Sequence, residues 1–219
     1  MKKKLLAAVA IGQCILICGL IFALLRYQNT SANRPADKYA GSIAPLRSSV
    51  DMDGDGIDDQ TDILESALRY TKTEPKYKSR YYGTGYPDDG YGVCTDLVAI
   101  ALKDAGYDLM ELVRKDVAEN PDSYDIDTPD ANIDFRRVKN LKVYFAHRAI
   151  SLTTDVSDVE AWQGGDIVIF ESHIGIVSDR RNAAGVPYVI HHNDPWQRAY
   201  EQDILESRND IVGHYRVSQ

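Results

Sequence analysis

Hydrophobic positions divide the chain into one long uninterrupted apolar run followed by short periodic segments. Leu5 to Leu25 is 21 residues without a charge and with Gln13 as its one strongly polar interruption, close to the ~20 residues a helix needs to cross the hydrocarbon core. Three lysines precede it, so the positive-inside rule keeps them in the cytoplasm and places the rest of the chain outside. A cleaved signal peptide competes with this anchor, but the run exceeds the usual apolar core of such peptides. Residues 27–50 have neither a helical nor a strand period and read as a flexible linker, with an end-to-end distance of roughly 27 Å and an extended limit near ~80 Å. A domain on such a tether would work at a distance from the bilayer and suit a wall substrate better than lipid.

Beyond the linker, Ile63, Leu64, Ala67 and Leu68 form one helical face, and Leu97, Val98, Ala101, Leu102 and Ala105 form a second that Gly106 stops. Leu109, Leu112, Val113 and Val117 predict a third helix, ended by Asn120-Pro121. Val138, Leu141, Tyr144, Phe145 and Ala149 predict a fourth. Ile167 to Phe170 is a short buried strand, and His173 to Ser178 and Tyr188 to Asn193 are two more, separated by polar turns. The result is an α+β domain in which a helix lies on an antiparallel meander. Its segments are residues 1–26 (cytoplasmic stub and anchor), 27–50 (linker), 51–70 (acidic loop and helix) and 71–219 (the main domain).

The 219 residues carry a formal net charge of -8. Setting aside Lys2, Lys3, Lys4 and Arg26 leaves 21 basic against 33 acidic residues, which argues against nucleic acid or anionic lipid as partners by charge alone. Two of the three cysteines, Cys14 and Cys18, lie in the apolar run, so the rest of the chain has one thiol and no internal disulfide.

That thiol, Cys94, opens the second helix. Amides and the dipole at a helix N-terminus lower a thiol's pKa and favour the nucleophilic thiolate, although a buried inert cysteine fits the same position. Neighbouring strands of the meander carry His173 at the start of one and His191 at the end of the next. They would serve as base and as the group that orients it, with His192 and Asn193 the alternatives for the third place. Tyr91, Asp96, Arg136, Arg137, His192 and Asn193 are further substrate-binding candidates; Arg136 or Arg137 could clamp a carboxylate, or form an ordinary ion pair. His147 and His214 read as structural. Zinc is disfavoured because no close ligand pair such as CxxC or HExxH occurs.

A separate motif, Asp51-Met52-Asp53-Gly54-Asp55-Gly56-Ile57-Asp58-Asp59-Gln60-Thr61-Asp62, has the spacing of a calcium loop. Asp51, Asp53, Asp55, the Ile57 carbonyl, Asp59 and Asp62 would be its ligands, with a structural role. It resembles the loops of dockerin and thrombospondin type 3 repeats, which also end in Asp.

Several ordered motifs resemble the bacterial DUF1287 family and, more distantly, the NlpC/p60 cysteine peptidases. They are Gly92-Val93-Cys94-Thr95-Asp96, Asn132-Ile133-Asp134-Phe135-Arg136-Arg137-Val138, Gly165-Asp166-Ile167-Val168, His173-Ile174-Gly175-Ile176-Val177-Ser178-Asp179 and Ile190-His191. The resemblance implies a papain-like fold with Cys94 as nucleophile, His173 as base and His191 as third residue, acting on amide bonds of peptidoglycan peptides. An acyltransferase with an amine or lipid acceptor, or a non-catalytic calcium-dependent wall-binding module, are the alternatives.

Overall fold

The computed structural model describes residues 2–219, with side chains from Ile11 onward. Helix α1 (Lys2–Arg26) is followed by an extended segment and then α2 (Asp59–Lys72). Strands β1 (Lys76–Tyr77) and β2 (Tyr91–Gly92) lead into α3 (Cys94–Asp104), α4 (Leu109–Glu119), α5 (Ala131–Asp134) and α6 (Val138–Arg148). The chain closes with β3 (Ile150–Ser151), β4 (Ile167–Phe170), β5 (Ile174–Arg181), β6 (Pro187–Ile190), β7 (Glu201–Gln202) and β8 (Ile211–Arg216). The last six strands form one antiparallel sheet in the order β3-β8-β4-β5-β6-β7, while β1 and β2 make a small parallel pair. This is an α+β fold.

The continuous apolar run of β4 follows from burial on both faces. Ile167, Ile169, Ile174, Ile176 and Ile190 pack with the helices, whereas Val168, Phe170, Val177 and Val189 meet Trp162, Val186 and Leu205 on the opposite side. Ile63, Ala67 and Tyr70 of α2 join the same core as Leu97, Val98 and Leu102 of α3. Burying each such aliphatic side chain contributes about 1.5–3 kcal/mol, which holds the cysteine helix against the sheet.

One buried carboxylate ties the sheet to α2. Asp166 accepts from Gln60 Nε2 (2.8 Å), the Gln163 amide (2.9 Å), His214 Nε2 (3.0 Å) and both Nε and Nη2 of Arg216 (2.8 Å each). His214 lies flat on Trp162 with ring centroids 3.8 Å apart and donates from Nδ1 to the Thr153 carbonyl (2.7 Å). Its structural reading therefore has a concrete basis.

One expectation about the amino-terminal region changes, and another reaches outside the described residues. Among the described residues no helix is long and apolar enough to cross a membrane; the expected span Leu5–Leu25 lies partly outside them, since described side chains begin at Ile11. Residues 27–50 are not a free linker. The amide of Gln28 donates to the Pro195 carbonyl (2.7 Å), and Ser31 exchanges hydrogen bonds with Arg198 and Tyr200 (3.0 Å each). Arg34 pairs with Glu201 (2.9 Å) and Asp179, and Ser48 Oγ meets Ser218 Oγ at 2.8 Å. Such bonds to distant residues use ordinary polar side chains and backbone, so no periodicity announces them.

Candidate active site

Cys94 is the first residue of α3, and Asp96, two residues on, reaches back so that its carboxylate accepts the Val93 amide (2.9 Å). Backbone amides of Ile174, Thr95 and Cys94 itself face the sulfur. Burial nevertheless outweighs them and pushes the thiol up to about 11, with the Asp96 carboxylate adding to the rise. The expected depressed pKa is thus reversed: at neutral pH the sulfur is a thiol.

His173 immediately precedes Ile174, at the turn between β4 and β5. Its Nε2 lies 2.9 Å from Nδ1 of His191, which follows β6. Nε2 of His191 in turn lies 3.1 Å from Gln202 Oε1 on β7. An amide oxygen only accepts, so His191 carries its proton on Nε2 and presents a lone pair at Nδ1. His173 must then donate from Nε2, which leaves the lone pair of its neutral ring on Nδ1. Burial, reinforced by mutual repulsion of the two rings, lowers His173 to about 3; burial also lowers His191 to about 4. Both rings are neutral at pH 7. Among the described residues no hydrogen bond joins Cys94 to His173; the connection runs through Ile174, whose amide faces the sulfur.

Gln202 went unnoticed in the sequence. It sits on a two-residue strand without alternation, and only its place beside β6 in the sheet reveals it.

The proposed substrate contacts fare differently. Asp96 and Arg136 are both buried and bind each other, Nε to Oδ1 at 2.5 Å and Nη2 to Oδ2 at 3.0 Å. Arg136 also donates to the Arg80 carbonyl (2.6 Å) and lies over the Tyr82 ring. Neither has a free edge for a ligand, so both are structural. His192 is fully buried, its Nδ1 3.1 Å from the Tyr70 hydroxyl and its Nε2 without a partner, which removes it from the surface a substrate would touch. Arg137 is exposed at the start of α6, and Asn193 is exposed in the turn after β6. Tyr91 is half-buried, with the Arg80 guanidinium 4.5 Å from its ring centroid.

In the acidic loop, Asp51, Asp53 and Asp55 can bring one oxygen each to within 4.8 Å of one another. Asp62 is buried and stands outside that group of three; burial first, then the charges of Asp55 and Asp53, raise its carboxyl to about 6. Ile57 is exposed and donates its amide to Asp55 (2.8 Å). Asp59 departs from the expected ligand set. It points inward, accepting the Met52 amide (2.8 Å) and the Tyr107 hydroxyl (2.5 Å).

Residues 64–217 match the family described as "Domain of unknown function (DUF1287)". The uncharacterized protein YijF of Escherichia coli is 37% identical over 152 residues, covering 65% of this chain and 72% of that one. No solved structure matches the chain. The family match takes in α3, both histidine-bearing turns and the whole six-stranded sheet, and by it the chain belongs to the DUF1287 family.

Proposed function

We propose that this protein is a cysteine hydrolase that cleaves amide bonds in peptidoglycan peptides, with an NlpC/p60-like, papain-like arrangement and a domain held outside the cytoplasmic membrane by α1. The supporting observation is the Gln202–His191–His173 chain, which fixes the tautomer of a ring beside the strand end facing Cys94 Sγ. In this reading the resting pair is neutral. His173 Nδ1 takes the thiol proton as the sulfur attacks the carbonyl, then gives it to the leaving amine, and water releases the acyl group. In this reading the amides around the sulfur would also stabilise the oxyanion.

Purified protein and its Cys94→Ala variant, incubated with wall fragments, test the proposal. Product release is expected from the native protein alone, and the masses of products separate hydrolysis from acyl transfer. Between about pH 6 and 9 the rate should change little, because Cys94 and His173 titrate outside that window. Equal release from both proteins ends the hydrolase reading and leaves a wall-binding module with an inert cysteine, the alternative that the raised thiol favours.

The same proposal includes a structural Ca²⁺ on Asp51, Asp53, Asp55, Asp62 and the Ile57 carbonyl. Five oxygen groups of this kind fit a hard cation, and the ion would offset the burial and the charges of Asp55 and Asp53 that raise the Asp62 carboxyl. Excess calcium should raise the melting temperature by about 5 °C over a chelated sample, a shift of roughly 2 kcal/mol for a chain of this size. Asp55→Asn should erase most of that shift; an unchanged melting temperature with calcium counts against the site.

A further inference from the structure

The described part of α1 shows no protein-facing side. Ile11, Ile15, Leu16, Leu20, Ile21, Phe22, Leu24 and Leu25 are each at least 51% exposed, and they fall all round the helix. Such a helix matches a lipid environment rather than a protein groove. It ends at Arg26, and Tyr27 meets Trp196 edge to face at 5.1 Å, both rings 51% exposed. Paired Tyr and Trp rings beside an arginine at the end of an apolar helix are the composition of a membrane–water interface.

The chain then passes directly into the site. Gln28 clasps the backbone of Tyr77, donating to its carbonyl (2.8 Å) and accepting its amide (2.6 Å). Tyr77 pairs with Gly92, two residues before Cys94. Trp196 lies in the turn after β6, four residues past His192. From the end of the helix, the route of contacts to Cys94 runs through Gln28, Tyr77 and Gly92.

We propose that Tyr27, Trp196 and the end of α1 rest in the bilayer interface, so that the site works at the membrane surface on an amide carried by a lipid-anchored molecule. This inference rests on the hydrolase and anchor reading above. It also replaces the expectation of a domain ranging outward on a tether. A free wall fragment would share the amide chemistry but would gain nothing from this placement, whereas a lipid-anchored substrate is concentrated in the plane where the sulfur sits.

The full chain in phosphatidylcholine vesicles brominated near the top of the acyl chains supplies the test. Trp162 is fully buried and Trp196 exposed, so bromine should quench the Trp196 share of the emission and leave a Trp196→Phe variant unaffected. Equal native emission in brominated and plain vesicles overturns the placement. A Gly-Ser insertion between Arg26 and Tyr27 should abolish the quenching. It should also slow cleavage of a lipid-tailed peptide amide by about tenfold or more while sparing its soluble counterpart. Equal cleavage of the tailed probe by both forms overturns the substrate assignment. Quenching without cleavage of either probe keeps the surface placement and rejects the hydrolase reading instead.

Discussion

Lowering the pH from 7 to 5 is expected to remove several kcal/mol of stability, and the buried histidines are the reason. His173 lies near 3 and His191 and His192 near 4, each depressed chiefly by burial from the ordinary value of 6.5. The unfolded chain therefore binds these protons first. Stability supplied by the neutral rings is complete above about 6.5 and falls as the pH drops toward 4. At 1.36 kcal/mol per pH unit, each ring costs about 2 kcal/mol by pH 5. Asp62 works in the opposite direction: its carboxyl, raised to about 6 from 3.8, takes up its proton in the folded state and returns roughly 1 kcal/mol by pH 5. The histidines win. Denaturant midpoints measured at pH 7 and pH 5 should differ accordingly, and His192→Phe, which removes the ring with an unpartnered nitrogen, should reduce the difference. Midpoints that coincide would mean that these rings are solvated.

The separation between what was legible and what was not follows the range of the interactions. Helices α2, α3, α4 and α6 bury one face, so their apolar spacing carries the signal in a dozen residues. The meeting of His173 and His191 was also legible, since antiparallel β5 and β6 place the start of one beside the end of the other. Its third member was not, because Gln202 arrives from a strand of two residues. The direction of the Cys94 shift was misjudged for a related reason. A helix N-terminus is a local feature, whereas desolvation by the surrounding core depends on the whole fold. Asp59 shows the same limit within the acidic loop: its spacing fits a ligand, but Tyr107, 48 residues away, claims its carboxylate.

Arg136 gives the sharpest stability test of how Cys94 is held. Its guanidinium and the Asp96 carboxylate are almost wholly removed from water, at 2% and 0% side-chain exposure. The Thr95 hydroxyl adds a bond to the Arg136 carbonyl (3.2 Å). This pair fastens the first turn of α3 to the segment after α5. Arg136→Leu strands the Asp96 charge in the interior, which typically costs 3–5 kcal/mol and would lower the melting temperature by roughly 6–20 °C in a chain of this size. Adding Asp96→Asn should recover part of the loss, because the amide oxygen still accepts the Val93 N–H while no charge remains stranded. Arg137→Leu, at the exposed neighbouring position, should stay within about 0.5 kcal/mol of the native protein. Equal melting temperatures for the Arg136 and Arg137 variants would show that the ion pair is not what holds the cysteine turn in place.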